Sequence, residues 1–265
     1  MDFLQISGKR FLIFGVANKK SVAYAVASML RQQGGECVFV VRDEDVLAKT
    51  QKLFPDATFF CCNVEHEEDI MALREAVGKQ YDKFDGILHS IAFADFSEGL
   101  KPFHETPKKA FFQALDISCF SFVSISRYFA DLLADNASVV TVSISTTRMA
   151  NESYGYMAPI KAALDSSLAF LSKSFSSFSH IRFNAVAPGP LKTSASAGIP
   201  GYLDSYLYTE KVVPRGKAVA TDEAASVAVF LLSPLSSGIV AQKIVVDAGM
   251  EINYFDKSII KATVE

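Results

Sequence analysis

FLIFGVANKKSVAYAVA, residues 11–27, is the stretch from which the fold of this chain can be read. Phe11 to Phe14 run apolar into Gly15 without alternation, as in a strand buried on both faces. From Ser21 to Gln33 the pattern changes. Val22, Ala25, Val26, Met29 and Leu30 fall at i, i+3, i+4, i+7 and i+8, one apolar stripe that predicts a helix. Gly34 and Gly35 stop it. Gly15 stands where a backbone must bend closely past a ligand, and Ser21 where it can cap the helix and meet a phosphate. The partial positive charge of a helix N-terminus suits a pyrophosphate. Only Gly15 is a glycine in this turn, so the G-x-G-x-x-G fingerprint is absent. The residues alone leave open an ordinary tight βα turn with a serine cap.

The strand-like signature recurs in ECVFVV, TFFCC, GILHSIA, SVVTVS, IRFNAVA and KIVVD, with helix-length segments between. Repeated alternation of strand and helix predicts an α/β fold: a doubly wound sheet of the Rossmann type, with about seven parallel strands and helices on both faces. Right-handed crossovers put a ligand crevice at the C-terminal strand ends. No linker, repeat or composition break interrupts the 265 residues, so the chain reads as a single domain over 1–265.

Half the residues are hydrophobic and no segment is charge-rich, which argues against disorder. The net charge of -3 argues against a nucleic-acid binder, which would present a basic face. Cys37, Cys61, Cys62 and Cys119 lack zinc-ligand spacing and read as reduced core residues. His66, His89, His104 and His180 are scattered, so no metal site is expected, and His89 reads as a satisfied core residue. MDFLQISGKR lacks the order of a signal peptide, and no apolar run reaches membrane-spanning length. The expectation is a cytoplasmic protein without membrane insertion.

SYGYMAPIK, residues 153–161, carries the chemistry. Tyr154 precedes Lys161 by six intervening residues and Tyr156 by four. A tyrosine that hands over a proton and a lysine that steadies a cofactor can share one site at the right separation. Seven positions make two helical turns, so Tyr154 and Lys161 share a face if the segment is helical. Spacing alone leaves both tyrosines as candidates, and a surface tyrosine beside a solvated lysine as the bland alternative. Pro159 is at ease in a first helical turn and disruptive deeper in.

Resemblance narrows the choice. GVANKKSVAYAVA is similar to the nucleotide-binding turn of the enoyl-acyl-carrier-protein reductases of the bacterial type I, a divergent branch of the short-chain dehydrogenase/reductase family. In that branch a glycine, five residues and a serine replace the glycine triplet, and Gly15, Ser21, Val22 and Ala23 match. KFDGILHSIAFA (83–94), DISCFSFV (116–123), APGPLKTSASAGI (187–199) and SSGIVAQKIVVDAG (236–249) resemble, in order, further segments of the same family. The family spaces its catalytic tyrosine and lysine by six residues, where ordinary short-chain dehydrogenases use three. The three-residue position here is Met157.

The resemblance implies NAD(P)H-dependent reduction of trans-2-enoyl thioesters on acyl carrier protein in fatty-acid elongation. Tyr154 would be the oxyanion donor and Lys161 the cation that steadies the cofactor. Cofactor contacts are implied for Gly15, Ser21, Val22, Arg42, Asn63, Val64, Ser90, Ile91 and Ala92, then Lys161, Pro190, Leu191 and Thr193. Substrate contacts are implied for Phe93, Ala94, Ile144, Tyr154 and Met157. Ala195, Ile199 and Tyr202 join them from a covering loop near 192–210, where Ala197, Leu203, Tyr206 and Leu207 are further candidates. The acyl carrier protein is the implied partner and a homotetramer the implied assembly. Lys192, Lys211, Arg215 and Lys217 form a basic patch on which an acidic carrier could dock.

The chain departs from the family pattern at Ile144, where an aromatic residue is usual, at Asn63 for Asp, and at Ala92 for Gly. Two rivals stay open: another short-chain carbonyl reductase, and a non-catalytic dinucleotide-binding paralogue. For the cofactor, Arg42 could take a 2′-phosphate and favour NADP, but Asp43, Glu44 and Asp45 follow directly and would repel one. The like-charge argument favours NAD.

Overall fold

The strand β1 (Arg10–Phe14) lies at the centre of a sheet, and the computed structural model describes residues 2–151, 154–193, 196 and 198–257. The other strands are β2 (Glu36–Val41), β3 (Phe59–Cys61), β4 (Phe84–His89), β5 (Leu133–Val142), β6 (Arg182–Pro188) and β7 (Lys243–Val246). Their order is β3-β2-β1-β4-β5-β6-β7, and every neighbouring pair is parallel. Strand order reverses between β1 and β4, which opens the crevice expected of a doubly wound sheet.

Helices cover both faces, which explains why the strands are apolar throughout rather than alternating. On one face α1 (Val22–Gln32) and α8 (Thr221–Leu232) bury Val26, Leu30, Ala225 and Val229 against Ile13, Phe39 and Val186. On the other, α3 (Glu67–Gly78), α4 (Lys108–Leu115), α5 (Ser121–Tyr128) and α6 (Met157–Phe175) pack on Leu12, Val38, Ile87 and Val139. Two shorter helices complete the set: α2 (Glu44–Thr50) after β2, and α7 (Tyr202–Val212) in the covering region.

Three local features position the site. Ser21 caps α1, its side chain accepting from the Tyr24 N–H, and Gly34 follows the helix at φ +82°. Asp116–Phe120, between α4 and α5, is a π-helical turn. Pro159 is the third residue of α6, so its missing N–H is one that a first turn leaves unpaired in any case.

His89 is fully buried, with Nδ1 2.9 Å from Thr141 Oγ1 and Nε2 2.9 Å from Ser121 Oγ. Ser121 also donates to the Ile117 carbonyl at 2.7 Å, and Thr141 to the His89 carbonyl at 3.2 Å. Burial pushes the His89 pKa down to about 3. All four cysteines are free thiols, and burial pushes Cys37 and Cys62 up to about 12. Among the described residues there is no cluster able to hold a metal ion, and no helix is long and apolar enough to cross a membrane.

Candidate active site

A cavity of about 810 Å³ runs across the C-terminal ends of the strands, where the switch in strand order opens the sheet. At one end lies the β1–α1 turn. Gly15 has φ +94°, and a Cβ there would stand 2.0 Å from the carbonyl oxygen of Ser90. Only glycine permits this approach. The Ser21 hydroxyl donates to the Asn18 carbonyl at 2.7 Å and accepts from the N–H groups of Tyr24 and, at 3.5 Å, Ala17. It therefore serves as cap and turn brace, and the lining there is completed by Val22.

Arg42, Asn63 and Val64 line the cavity at the ends of β2 and β3, together with Glu65. Arg42 Nε donates to Asp43 Oδ2 at 2.6 Å, and the other oxygen of Asp43 caps α2 through the Val46 N–H. The arginine is thus tethered to the first of three successive acids. Ser90, Ile91 and Ala92 follow β4 along the middle of the cavity.

Phe93, Ala94, Ile144, Tyr154, Met157 and Lys161 also line the cavity. Lys161 is buried and donates to the carbonyls of Val142 at 2.8 Å and Ile91 at 3.3 Å. Burial pushes its pKa down to about 8, against the pull of Asp165 and Cys119 towards the charged form. The two carbonyls and nearby acid keep a buried ammonium tolerable.

Tyr154 reaches the same cavity from outside the helix. It lies in the turn before Met157, the first residue of α6, so the two-turn helical alignment expected for it and Lys161 does not occur. Gly155, at φ +52°, makes that turn. Burial, with Tyr202 nearby, raises the Tyr154 pKa above the ordinary phenol value, which keeps it a proton donor. Tyr156 faces elsewhere. It is buried, its hydroxyl donates to the Asp95 carbonyl at 2.8 Å, and its ring packs on Phe96 and Phe111. Of the two tyrosines, Tyr154 lines this cavity and Tyr156 does not.

On the covering side Leu191, Thr193, Ile199 and Tyr202 line the cavity, joined by Ser196 and Gly198. Tyr202 locks the Leu191 backbone, its hydroxyl accepting from the N–H at 2.8 Å and donating to the carbonyl at 3.0 Å. Three expectations need correction. Pro190 is not in the lining; its neighbours Gly189 and Leu191 are, the chain bending at 189–190 as it leaves β6. Leu203 and Leu207 point to solvent, at 63% and 49% exposure, while Tyr206 turns inward under Lys192. Arg215 is not a free docking base: it grips Glu223 at 2.6 and 2.8 Å and donates to the carbonyls of Lys217 and Ala218. Ala195 and Ala197 lie outside the described residues.

Sequence reasoning missed Ser143, Glu65, Cys62 and Phe96 among the lining residues. Ser143 had a signal, since it immediately precedes Ile144 at the end of an apolar run. Cys62 and Glu65 had the same kind of signal, flanking Asn63 and Val64.

The cavity fits a dinucleotide. It runs along the strand ends, begins at a glycine whose missing Cβ admits close approach and at a helix N-terminus, and also takes in a buried cation and a half-buried phenol.

Residues 15–251 match the family model described as enoyl-(acyl carrier protein) reductase. The chain is 33% identical to an NADH-dependent enoyl-[acyl-carrier-protein] reductase of Nostoc sp., over 94% of this chain and 98% of that one. It is 32% identical to an NADPH-dependent enoyl-[acyl-carrier-protein] reductase of Staphylococcus aureus, over 93% and 98%. The crystal structure of the NADH enzyme from Aquifex aeolicus superposes with a TM-score of 0.90 at 30% identity, covering 95% of this chain and 99% of that one.

Proposed function

The chain belongs to the enoyl-(acyl carrier protein) reductase family, and on that premise we propose that Tyr154 and Lys161 are the residues with which it works. It reduces enoyl thioesters carried on acyl carrier protein in fatty-acid synthesis, with NADH or NADPH as reductant. The observation that carries the assignment is the meeting of Tyr154, Lys161 and the Gly15 turn around one cavity.

When bound, the cofactor supplies a hydride. The chain does the rest. Gly15, Val22 and the α1 N-terminus suit the pyrophosphate, while Arg42, Asn63 and Val64 suit the adenosine. Ser90, Ile91, Ala92, Leu191 and Thr193 border the space that remains for the nicotinamide half. Lys161 spends two N–H groups on backbone carbonyls and keeps its third for ribose hydroxyls. Tyr154 offers its hydroxyl where the thioester oxygen gains negative charge, a contact that strengthens in the transition state. Ile144, Met157, Phe93 and Ala94 keep water from the reacting carbons and give the acyl chain an apolar seat.

NADH is the preferred reductant on our reading, because Arg42 is tethered to Asp43 and two more acids follow directly in the chain. A homotetramer is the assembly we favour. Phe112, Phe120 and Phe170 are exposed on α4, the π turn and α6, beside the small exposed residues Ala163 and Ala169, a surface suited to helix packing between subunits. Sedimentation would test it. A cytoplasmic location goes with the same reading and is open to fractionation.

The deciding assay follows NADH absorbance with crotonyl-coenzyme A and crotonyl carrier protein, beside a β-ketoacyl thioester. Oxidation with the enoyl substrates alone supports this function. Turnover of the keto substrate alone would make the chain a carbonyl reductase, and binding without turnover would make it a non-catalytic paralogue.

A further inference from the structure

Asp165 lies one helical turn beyond Lys161 on α6, outside the cavity lining, with its side chain only 16% exposed. Its two carboxylate oxygens take different partners. The Ser143 hydroxyl donates to Oδ1. Lys243, the first residue of β7, pairs with Oδ2 at 3.2 Å and donates to Thr147 Oγ1 at 2.9 Å. Ser143 directly follows Val142, whose carbonyl accepts from Lys161. Residues i and i+4 of α6 therefore grip two successive residues at the end of β5, and β7 closes the arrangement from the far side.

We infer that Asp165 is a positioning residue for Lys161: it fixes the end of β5 against α6 through Ser143, and its negative charge stabilises the ammonium while Lys243 tempers that charge. The inference rests on the cofactor-holding role given to Lys161 above. Ser143 gives its hydrogen to Asp165, so it presents only lone pairs to the cleft and leaves oxyanion donation to Tyr154.

Among the described residues, His89 faces Lys161 from β4, Cys119 from the π turn and Asp165 from its own helix, while Tyr154 shares the cavity lining with it. Burial holds His89 neutral and pushes the Cys119 thiol and the Tyr154 phenol above their ordinary values. Lys161 is left as the group of this set that titrates in the mildly alkaline range.

The test is NADH binding, read by nucleotide fluorescence between about pH 6 and 10, in the wild type, Asp165→Asn, Asp165→Glu and Lys243→Gln. Asp165→Asn removes a negative charge near Lys161, so the alkaline limit of binding moves down by about one pH unit. Lys243→Gln leaves the carboxylate untempered and moves the limit up. Asp165→Glu restores the wild-type limit. A common limit in all four proteins, or movement in one direction for both Asp165→Asn and Lys243→Gln, overturns the inference and leaves only a structural role. If Asp165→Asn fails to fold, Lys243→Gln decides by itself, since no upward shift sinks the idea. Crotonyl-coenzyme A turnover by the wild type is a separate arm: its absence with binding intact overturns the assigned function and leaves this inference standing.

Discussion

A Cβ on Gly15 would stand 2.0 Å from the Ser90 carbonyl oxygen, closer than any two such atoms can lie. The two residues end neighbouring strands on either side of the point where strand order reverses, so the cleft is as narrow there as backbone allows. Gly15→Ala must push β1 and β4 apart or bend the turn out of its positive φ. NADH affinity should fall by roughly tenfold or more, of the order of 1.4 kcal/mol. Isothermal titration checks it, and an unchanged dissociation constant would remove the turn from the cofactor site.

Tyr154→Phe and Tyr156→Phe should separate cleanly. Loss of the Tyr154 hydroxyl should lower kcat by roughly 10²-fold, the usual cost of one oxyanion donor. Tyr156→Phe removes a bond to the Asp95 carbonyl and should cost about 1 kcal/mol of stability with little change in kcat. Steady-state kinetics and urea unfolding on both variants make the comparison. The opposite pattern would mean that Tyr156 is the donor.

Asp43→Asn with Glu44→Gln should open the cofactor site to a 2′-phosphate. Asn keeps the cap on α2, while Arg42 loses its ionic tether and the repelling charges shrink. We expect kcat/KM for NADPH to rise roughly tenfold, with NADH changing much less. Equal change for both nucleotides would show that this acidic run does not face the ribose.

Glu223 gives the fold an acid-sensitive clamp. Arg215 and the Ala220 N–H hold its carboxyl down from 4.5 to about 2. A carboxyl depressed in the folded chain adds stability that is present above about pH 4.5 and is lost as pH falls through about 2. The wild type should therefore lose more Tm across that interval than Glu223→Gln, and stand above the variant at pH 7. Parallel curves would show that the pair is too well solvated to matter.

The order of elements and the cofactor turn were legible because burial on two faces and the stripe of α1 are local signals. The pairing of Tyr154 with the cavity was legible only through resemblance, since spacing admitted Tyr156 and helical geometry was the wrong frame for it. Other features left no local trace. The π turn at Asp116–Phe120 depends on one extra residue in a helix whose apolar pattern looks continuous. β5 begins at Leu133, beneath the polar Asp135 and Asn136, because pairing with Phe84 and not side-chain polarity sets its start. The Asp165–Lys243 pair joins residues far apart in the chain. Leu203 and Leu207 read as tunnel residues because apolar side chains on a short helix carry no mark of which side faces inward.

Tyr154 sits on a glycine-made turn, whereas Lys161 is held inside a long helix by two backbone carbonyls. On the roles proposed above, proton source and cofactor anchor thus belong to different parts of the fold. On those roles the anchor is tied to the sheet through the Val142 and Ile91 carbonyls, and the phenol stands on a turn outside the helix. Substitution of Gly155 becomes a way to retune which thioesters are accepted while cofactor affinity stays where it was.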